Sequence, residues 1–298
     1  MTLRVLIKRN VKLFFKDKAM FFTSLITPVI LLVLYATFLG NVYADSFRAG
    51  LPAGVELSEK ILGGLVGGQL ISSILAVSGV TVAFCSNMLM VQDKANGTLN
   101  DLSISPVSPR TLALSYYVAS LFSTLIICYT ATALCLAYVG TVGWYLSVAD
   151  VLWLLLDVLV LVLFGTALSS VINFFLSTQG QISAVGSIVS SGYGFICGAY
   201  MPISQFSAGL QKVVVCLPGT YGTSLLRNHA MRGVFSELER TGLPTEAVDA
   251  MKNTADYNLY FFENSVSPAA MYTVLGVAVA VLVGAYVLLH TLRNKKAK

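Results

Sequence analysis

The sequence predicts an all-α membrane protein that crosses the bilayer six times, and three observations predict it. Hydrophobic residues make up 56% of the 298 positions and charged residues only 11%, against about 25% charged in a soluble domain. A chain this apolar has too few polar groups to cover its own surface. Its apolar runs are continuous and reach the ~20 residues a helix needs to span a bilayer, whereas a membrane β-barrel is written in ~10-residue segments of alternating polarity. Lys and Arg crowd beside the first and last runs, the bias that orients a polytopic chain.

The elements follow in order. Arg4, Lys8, Lys12 and Lys16 recur every four residues, with Leu3, Leu6, Ile7, Val11, Phe14 and Phe15 between them. Residues 1–18 therefore read as a basic amphipathic helix that lies in an anionic leaflet, with a plain basic flank as the simpler alternative. Val42-Tyr43-Ala44 permits signal-peptide cleavage, but the apolar run before it is longer than a usual signal core. Six spans are expected at 21–40, 61–91, 111–139, 151–176, 182–200 and 269–292, forming one transmembrane domain over 1–298. Pro28 should kink the first span. Gly63, Gly64, Gly67 and Gly68 let the second span approach a neighbour closely, in this subunit or another. With the N-terminus in the cytoplasm, the inner segments hold twelve Lys and Arg and the outer ones seven. Both termini are then cytoplasmic. Residues 202–268 are expected outside: a re-entrant or interfacial stretch at 203–217, then helical patterning around 220–232 and 245–255.

Little chemistry is written in the spans. Cys85, Cys128, Cys135, Cys197 and Cys216 form no Cys-x-x-Cys pair and read as small buried hydrophobes. His229 and His290 suggest no metal site. No Gly-x-x-x-x-Gly-Lys-Ser/Thr sequence is present, so a P-loop is not expected in this chain. Asp157 is the clear ionisable residue within a span. It is either a pathway carboxylate or one satisfied locally near the interface.

The polar island Gln92–Pro109 sits between two long spans. Asn96 or Asn100 can start a short helix there, and Pro106 and Pro109 stop it. Asn96–Ser105 gives about 15 Å of helix. It would present Leu99, Leu102 and Ile104 beside Asp93, Lys94 and Asp101: a small apolar centre with a charged rim, suited to a cleft on another protein.

This island resembles the ABC-2 family of ABC-transporter permeases through Asp93, Gly97, Thr98, Leu99, Leu102, Ser105, Pro106, Val107 and Ser108. The Gly198–Ser204 stretch, then Leu217-Pro218-Gly219-Thr220-Tyr221 and Arg227, carry a second match. Asp93 stands where Glu is more usual, and Ser115 near where many relatives have Lys. The resemblance implies a coupling helix at about 95–105 that docks on a separate cytosolic ABC ATPase, present in two copies. ATP and Mg would bind there, and this chain would hold no cofactor. It also implies a second permease subunit, as homodimer or paralogous heterodimer, membrane lipids as surroundings and no nucleic acid. The region holding Pro202, Pro218 and Tyr221 would form short external re-entrant helices. Substrate would pass between subunits along spans one, two and five, with Gln69, Asn87, Asp157, Asn173 and Gln181 as polar candidates. The form is similar to daunorubicin-resistance-type drug exporters of the bacterial plasma membrane, with lipid and peptide exporters sharing the plan. An ion-coupled secondary transporter and a non-transporting scaffold or sensor are the alternatives.

Overall fold

The computed structural model describes residues 3–51, 57–262 and 264–296. Helix α1 (Leu3–Lys16) buries Leu6, Asn10 and Phe14 at four-residue spacing and leaves its lysines outward, the amphipathic pattern read above. The Asp17 carboxylate then accepts from the Met20 amide at 3.1 Å and caps α2 (Lys18–Leu34). A π-helical turn at Tyr35–Leu39 carries α2 into α3 (Gly40–Ala49), so the first span is a 32-residue rod.

Helix α4 (Glu59–Ala95) is the axis of the molecule, with 89% of its most apolar window buried. Its glycines explain how neighbours come so near. A Cβ on Gly63 would lie 2.3 Å from the Val142 carbonyl oxygen, and one on Gly68 2.6 Å from Met231. The small-residue stretch thus serves packing within this subunit. A short helix α5 (Thr98–Ile104) leads to α6 (Pro109–Val142), α7 (Val148–Phe175) and α8 (Gln179–Ile196). Hydroxyl caps start α4, α6, α7 and α8 at Ser58, Ser108, Ser147 and Thr178; the last two form capping boxes with Asp150 and Gln181. Each cap satisfies amide donors left open at a helix start.

Beyond α8 come a 3₁₀ turn (Ile203–Gln205), α9 (Ala208–Val214), α10 (Pro218–Arg240), α11 (Thr245–Thr254), a two-stranded hairpin of β1 (Tyr260–Phe261) and β2 (Asn264–Ser265), and α12 (Pro268–Lys296).

Among the described residues, five helical rods are long and apolar enough to cross a membrane: 18–49, 59–95, 109–142, 148–175 and 268–292. This is an all-α, multi-pass membrane protein. The expected fifth span is not among the five. Helix α8 has 18 residues, about 27 Å at 1.5 Å each, and Gln179, Gln181, Ser183, Ser187, Ser190 and Ser191 dilute its hydropathy. The segment expected to be largely solvated differs more. Helix α10 buries residues from Gly219 to Leu238 against α4, α7 and α12. Gly222 and Gly233 allow this, since a Cβ would sit 2.6 Å from Leu161 and 1.9 Å from the Tyr145 oxygen. Four cysteines are buried as expected, but Cys216 is exposed between α9 and α10.

Candidate functional site

The site is built at the junction of α4 and α5. Asp93, in the last turn of α4, is buried. Its Oδ2 accepts from Arg9 Nη1 at 2.8 Å and from the Tyr116 hydroxyl at 2.6 Å, while Oδ1 accepts from Arg9 Nη2 at 3.3 Å. One carboxylate therefore holds α1 and α6 to α4. Burial pulls the Arg9 guanidinium down, but the hydrogen bond and charge of Asp93 outweigh it, and its pKa rises above the ordinary value. Lys94 turns the other way. Its Nζ donates to the carbonyls of Asn173 (3.0 Å), Phe174 (2.5 Å) and Leu176 (2.9 Å) at the C-terminus of α7, where open carbonyls and the helix dipole favour a cation.

The chain then reverses at Gly97, with φ of +79°. That left-handed conformation suits glycine and makes Gly97 the N-cap of α5. The helix has seven residues rather than ten, because α4 runs on to Ala95 and Asn96 is its C-cap. Leu99 and Leu102 are half-buried and packed on the hydrophobic core. Ile104 is 84% exposed, and Asp101, Pro106 and Ser108 are exposed with it. Thr98 is half-buried, as is Ser105, whose hydroxyl donates to the Leu102 carbonyl at 2.6 Å. The expected charged rim is thus corrected. Asp93 and Lys94 face inward as struts, and the exposed tip is Ile104 with Asp101.

The expected pathway residues are not gathered on a surface. Gln69, Asn87, Asp157 and Asn173 are buried among the chain's own helices. Asn87 Nδ2 donates to Ser169 Oγ (3.0 Å) and Ser170 Oγ (2.7 Å), and Ser120 Oγ donates to Asn87 Oδ1 at 3.3 Å, which ties α4, α6 and α7. Among the described residues the Gln69 side-chain amide has no hydrogen-bond partner, and nor does Asn173 Nδ2. Gln181 is exposed, but its carbonyl accepts the Ser177 and Thr178 amides (2.8 and 3.2 Å) and so closes a turn. The exposed polar face belongs instead to Ser183, Ser187, Ser190 and Ser191 on α8.

At the opposite end of the bundle, Asp157 is satisfied locally. It pairs with His229 Nδ1 at 2.6 Å and accepts from the Tyr272 hydroxyl, and Trp153 stacks on the His229 ring at 5.4 Å. Arg227 is buried, with Nη1 3.2 Å from Asp256 Oδ2 and Nη2 2.5 Å from the Gly198 carbonyl. Asp256 also accepts from the Ile203 and Ser204 amides. Burial raises its pKa, with Arg227 and those amides pulling it back. Pro202 precedes the turn this clamp holds, while Pro218 starts α10 and Tyr221 is buried in it. Among the described residues no group of His, Cys, Asp or Glu could hold a metal.

The family profile described as ABC-2 type transporter matches residues 1–230. The chain belongs to this family. It is therefore a non-catalytic membrane component of an ABC transporter, of a kind that generally pairs with an ABC ATPase. Comparison with curated proteins returns no match. Several partners of the site residues have no local signal in the sequence. Arg9 is one of several basic residues in the N-terminal segment, and Tyr116, Tyr272 and Asp256 stand in no motif. An unpaired buried carboxylate is costly, so Asp157 within a span calls for a partner, whereas Asp93 in a polar island gives no such signal. Sequence distance hides the partners: 84 residues separate Arg9 from Asp93, and 72 separate Asp157 from His229.

Proposed function

We propose that this chain is the permease of an ATP-driven exporter in a bacterial inner membrane, with both termini in the cytoplasm and α5 as the coupling helix. The observation that carries the reading is the α4–α5 junction. A short helix with a bare apolar tip at Ile104 is rooted through Asp93 and Lys94 in α1, α6 and α7. Force on that tip reaches three helices at once. A cytosolic ATPase in two copies would dock there, carrying ATP and Mg.

Helix α8 makes the sixth crossing in this reading. Its exposed face, with Ser183, Ser187, Ser190 and Ser191 around Ile188, is rich in the small residues that let helices of two subunits approach closely and is covered by a second permease subunit, with the cargo path between them. The cargo is a drug-like, lipid or peptide molecule, as for exporters of the daunorubicin-resistance type that the sequence resembles.

The test substitutes the tip. Leu99 and Leu102 pack on the core, so their replacement would confound docking with folding. Ile104→Asp is clean. It should weaken ATPase binding at least tenfold, about 1.4 kcal/mol, in detergent-solubilised complex measured by biolayer interferometry. The thermal midpoint of the permease should stay within a degree or two. Undiminished binding would exclude α5 as the docking element.

A further inference from the structure

Lys94 and Asp93 are adjacent, yet they grip opposite halves of the molecule. Asp93 holds α1 and α6 through Arg9 and Tyr116. Lys94 holds the last carbonyls of α7 and lies 5.3 Å from the centre of the Phe174 ring. An ammonium group offers three protons, and three carbonyls receive them within 3.0 Å, so this joint has little freedom.

The connection continues without slack. Leu176, one of the three acceptors, is followed by Ser177 and Thr178, whose amides are held by Gln181 of α8. Thr178 Oγ1 in turn accepts the Gln181 amide at 3.3 Å. Lys94 is thereby joined to the first turn of α8 through two residues of backbone and the capping hydrogen bonds of the Gln181 and Thr178 side chains. Gly97, three residues further on, has nothing within 4 Å of where a Cβ would stand. The α5 side of the joint is uncrowded, and the α4 side is packed.

We propose that Lys94 is the positioning residue that carries displacement of α5 into the α7–α8 turn, so that α8 moves with α5, while Asp93 carries the same displacement separately into α1 and α6. The proposal rests on α5 being the element a partner pushes, but the joint can be tested in this chain alone.

Spin labels at Asp101 and Ser183 report α5 against α8, and labels at Asp101 and Lys12 report α5 against α1. All three positions are exposed. Cys216→Ser removes the exposed native thiol; the other four cysteines are buried. Pulsed electron–electron distance measurements would be made on the full chain in lipid nanodiscs. Lys94→Met should at least double the width of the 101–183 distribution and leave 101–12 unchanged, and Lys94→Arg should restore the narrow form. Asp93→Asn should do the reverse, broadening 101–12 alone. A purely structural role would broaden both pairs in either variant. That outcome, or an unchanged 101–183 distribution in Lys94→Met, would overturn the proposal. If Lys94→Met does not fold, Lys94→Gln is read by the same two distances. Failure of the Ile104 docking test would remove the coupling role of α5 without altering these distances, so the two failures are distinguishable.

Discussion

Arg227 and Asp256 show how single residues hold the region after α8 together. Arg227 comes from the middle of α10, Asp256 from the turn after α11, and between them they fix the Gly198 carbonyl and the amides of Ile203 and Ser204. Asp256 adopts a φ of +50° to do so, a conformation that non-glycine residues seldom take without compensation. Removing one member of a buried pair leaves the other charge without compensation, at a cost of about 3–5 kcal/mol, whereas replacing both by apolar groups is often nearly neutral. Asp256→Asn leaves the Arg227 charge buried without compensation, and it should therefore lower thermal stability more than the double variant Arg227→Met, Asp256→Asn, which removes both charges yet keeps at 256 a residue suited to a positive φ and an acceptor for the Ile203 and Ser204 amides. Differential scanning fluorimetry of the three proteins checks this, and equal losses in single and double variants would count against the clamp. The pair at Asp157 follows the same logic. Its carboxylate is taken by His229 and Tyr272, so local satisfaction explains its presence in a span.

At the scale of elements, helix contacts are set by where side chains are missing. A Cβ on Gly165 of α7 would meet the Gly79 carbonyl oxygen of α4 at 2.5 Å, with backbone on both sides of the contact. Backbone cannot swing aside as a flexible side chain can, so Gly165→Ala must separate α4 from α7. Overpacking of this kind costs about 1–3 kcal/mol. Gly276 of α12 has nothing within 4 Å, and there alanine should be neutral or stabilising by up to ~1 kcal/mol through helix propensity. Thermal unfolding of the two variants in one detergent should move in opposite directions or leave Gly276→Ala unchanged. A matching loss in both would mean that close approach is not what these glycines provide. The elements legible in sequence were the long apolar ones. Spans expected at 61–91, 111–139, 151–176 and 269–292 extend by only a few residues at most ends, because a continuous apolar run with a hydroxyl cap leaves the backbone few alternatives. The first span grew to Ala49 because the π-helical turn continues it past Gly40.

The whole molecule is asymmetric in what it covers. Helix α4 is enclosed, whereas only 11% of the most apolar window of α12 is buried, as suits a helix facing lipid. Helix α8 is exposed too, with Ser183, Ser187, Ser190 and Ser191 set among Ile188, Phe195 and Ile196. If a second copy covers that face, Ser187→Cys in a Cys216→Ser background should form a dimer with a short bismaleimide crosslinker. Val281→Cys on α12, 64% exposed in the single chain, should not. Absence of a Ser187→Cys dimer on denaturing gels would exclude the homodimeric form of the assembly. By itself the sequence determined the class, the helical content and the position of the short element after α4. These follow from hydropathy and local hydrogen bonding, which act within a few turns of chain. The tertiary structure decided which polar residues face outward. Asp93, Lys94 and Asn87 turn inward and Ile104 outward, α10 is drawn into the core, and α8 is left with an open polar face. Those outcomes depend on carbonyls, carboxylates and glycines brought together from about 60 or more residues away, and no local pattern encodes a contact at that range.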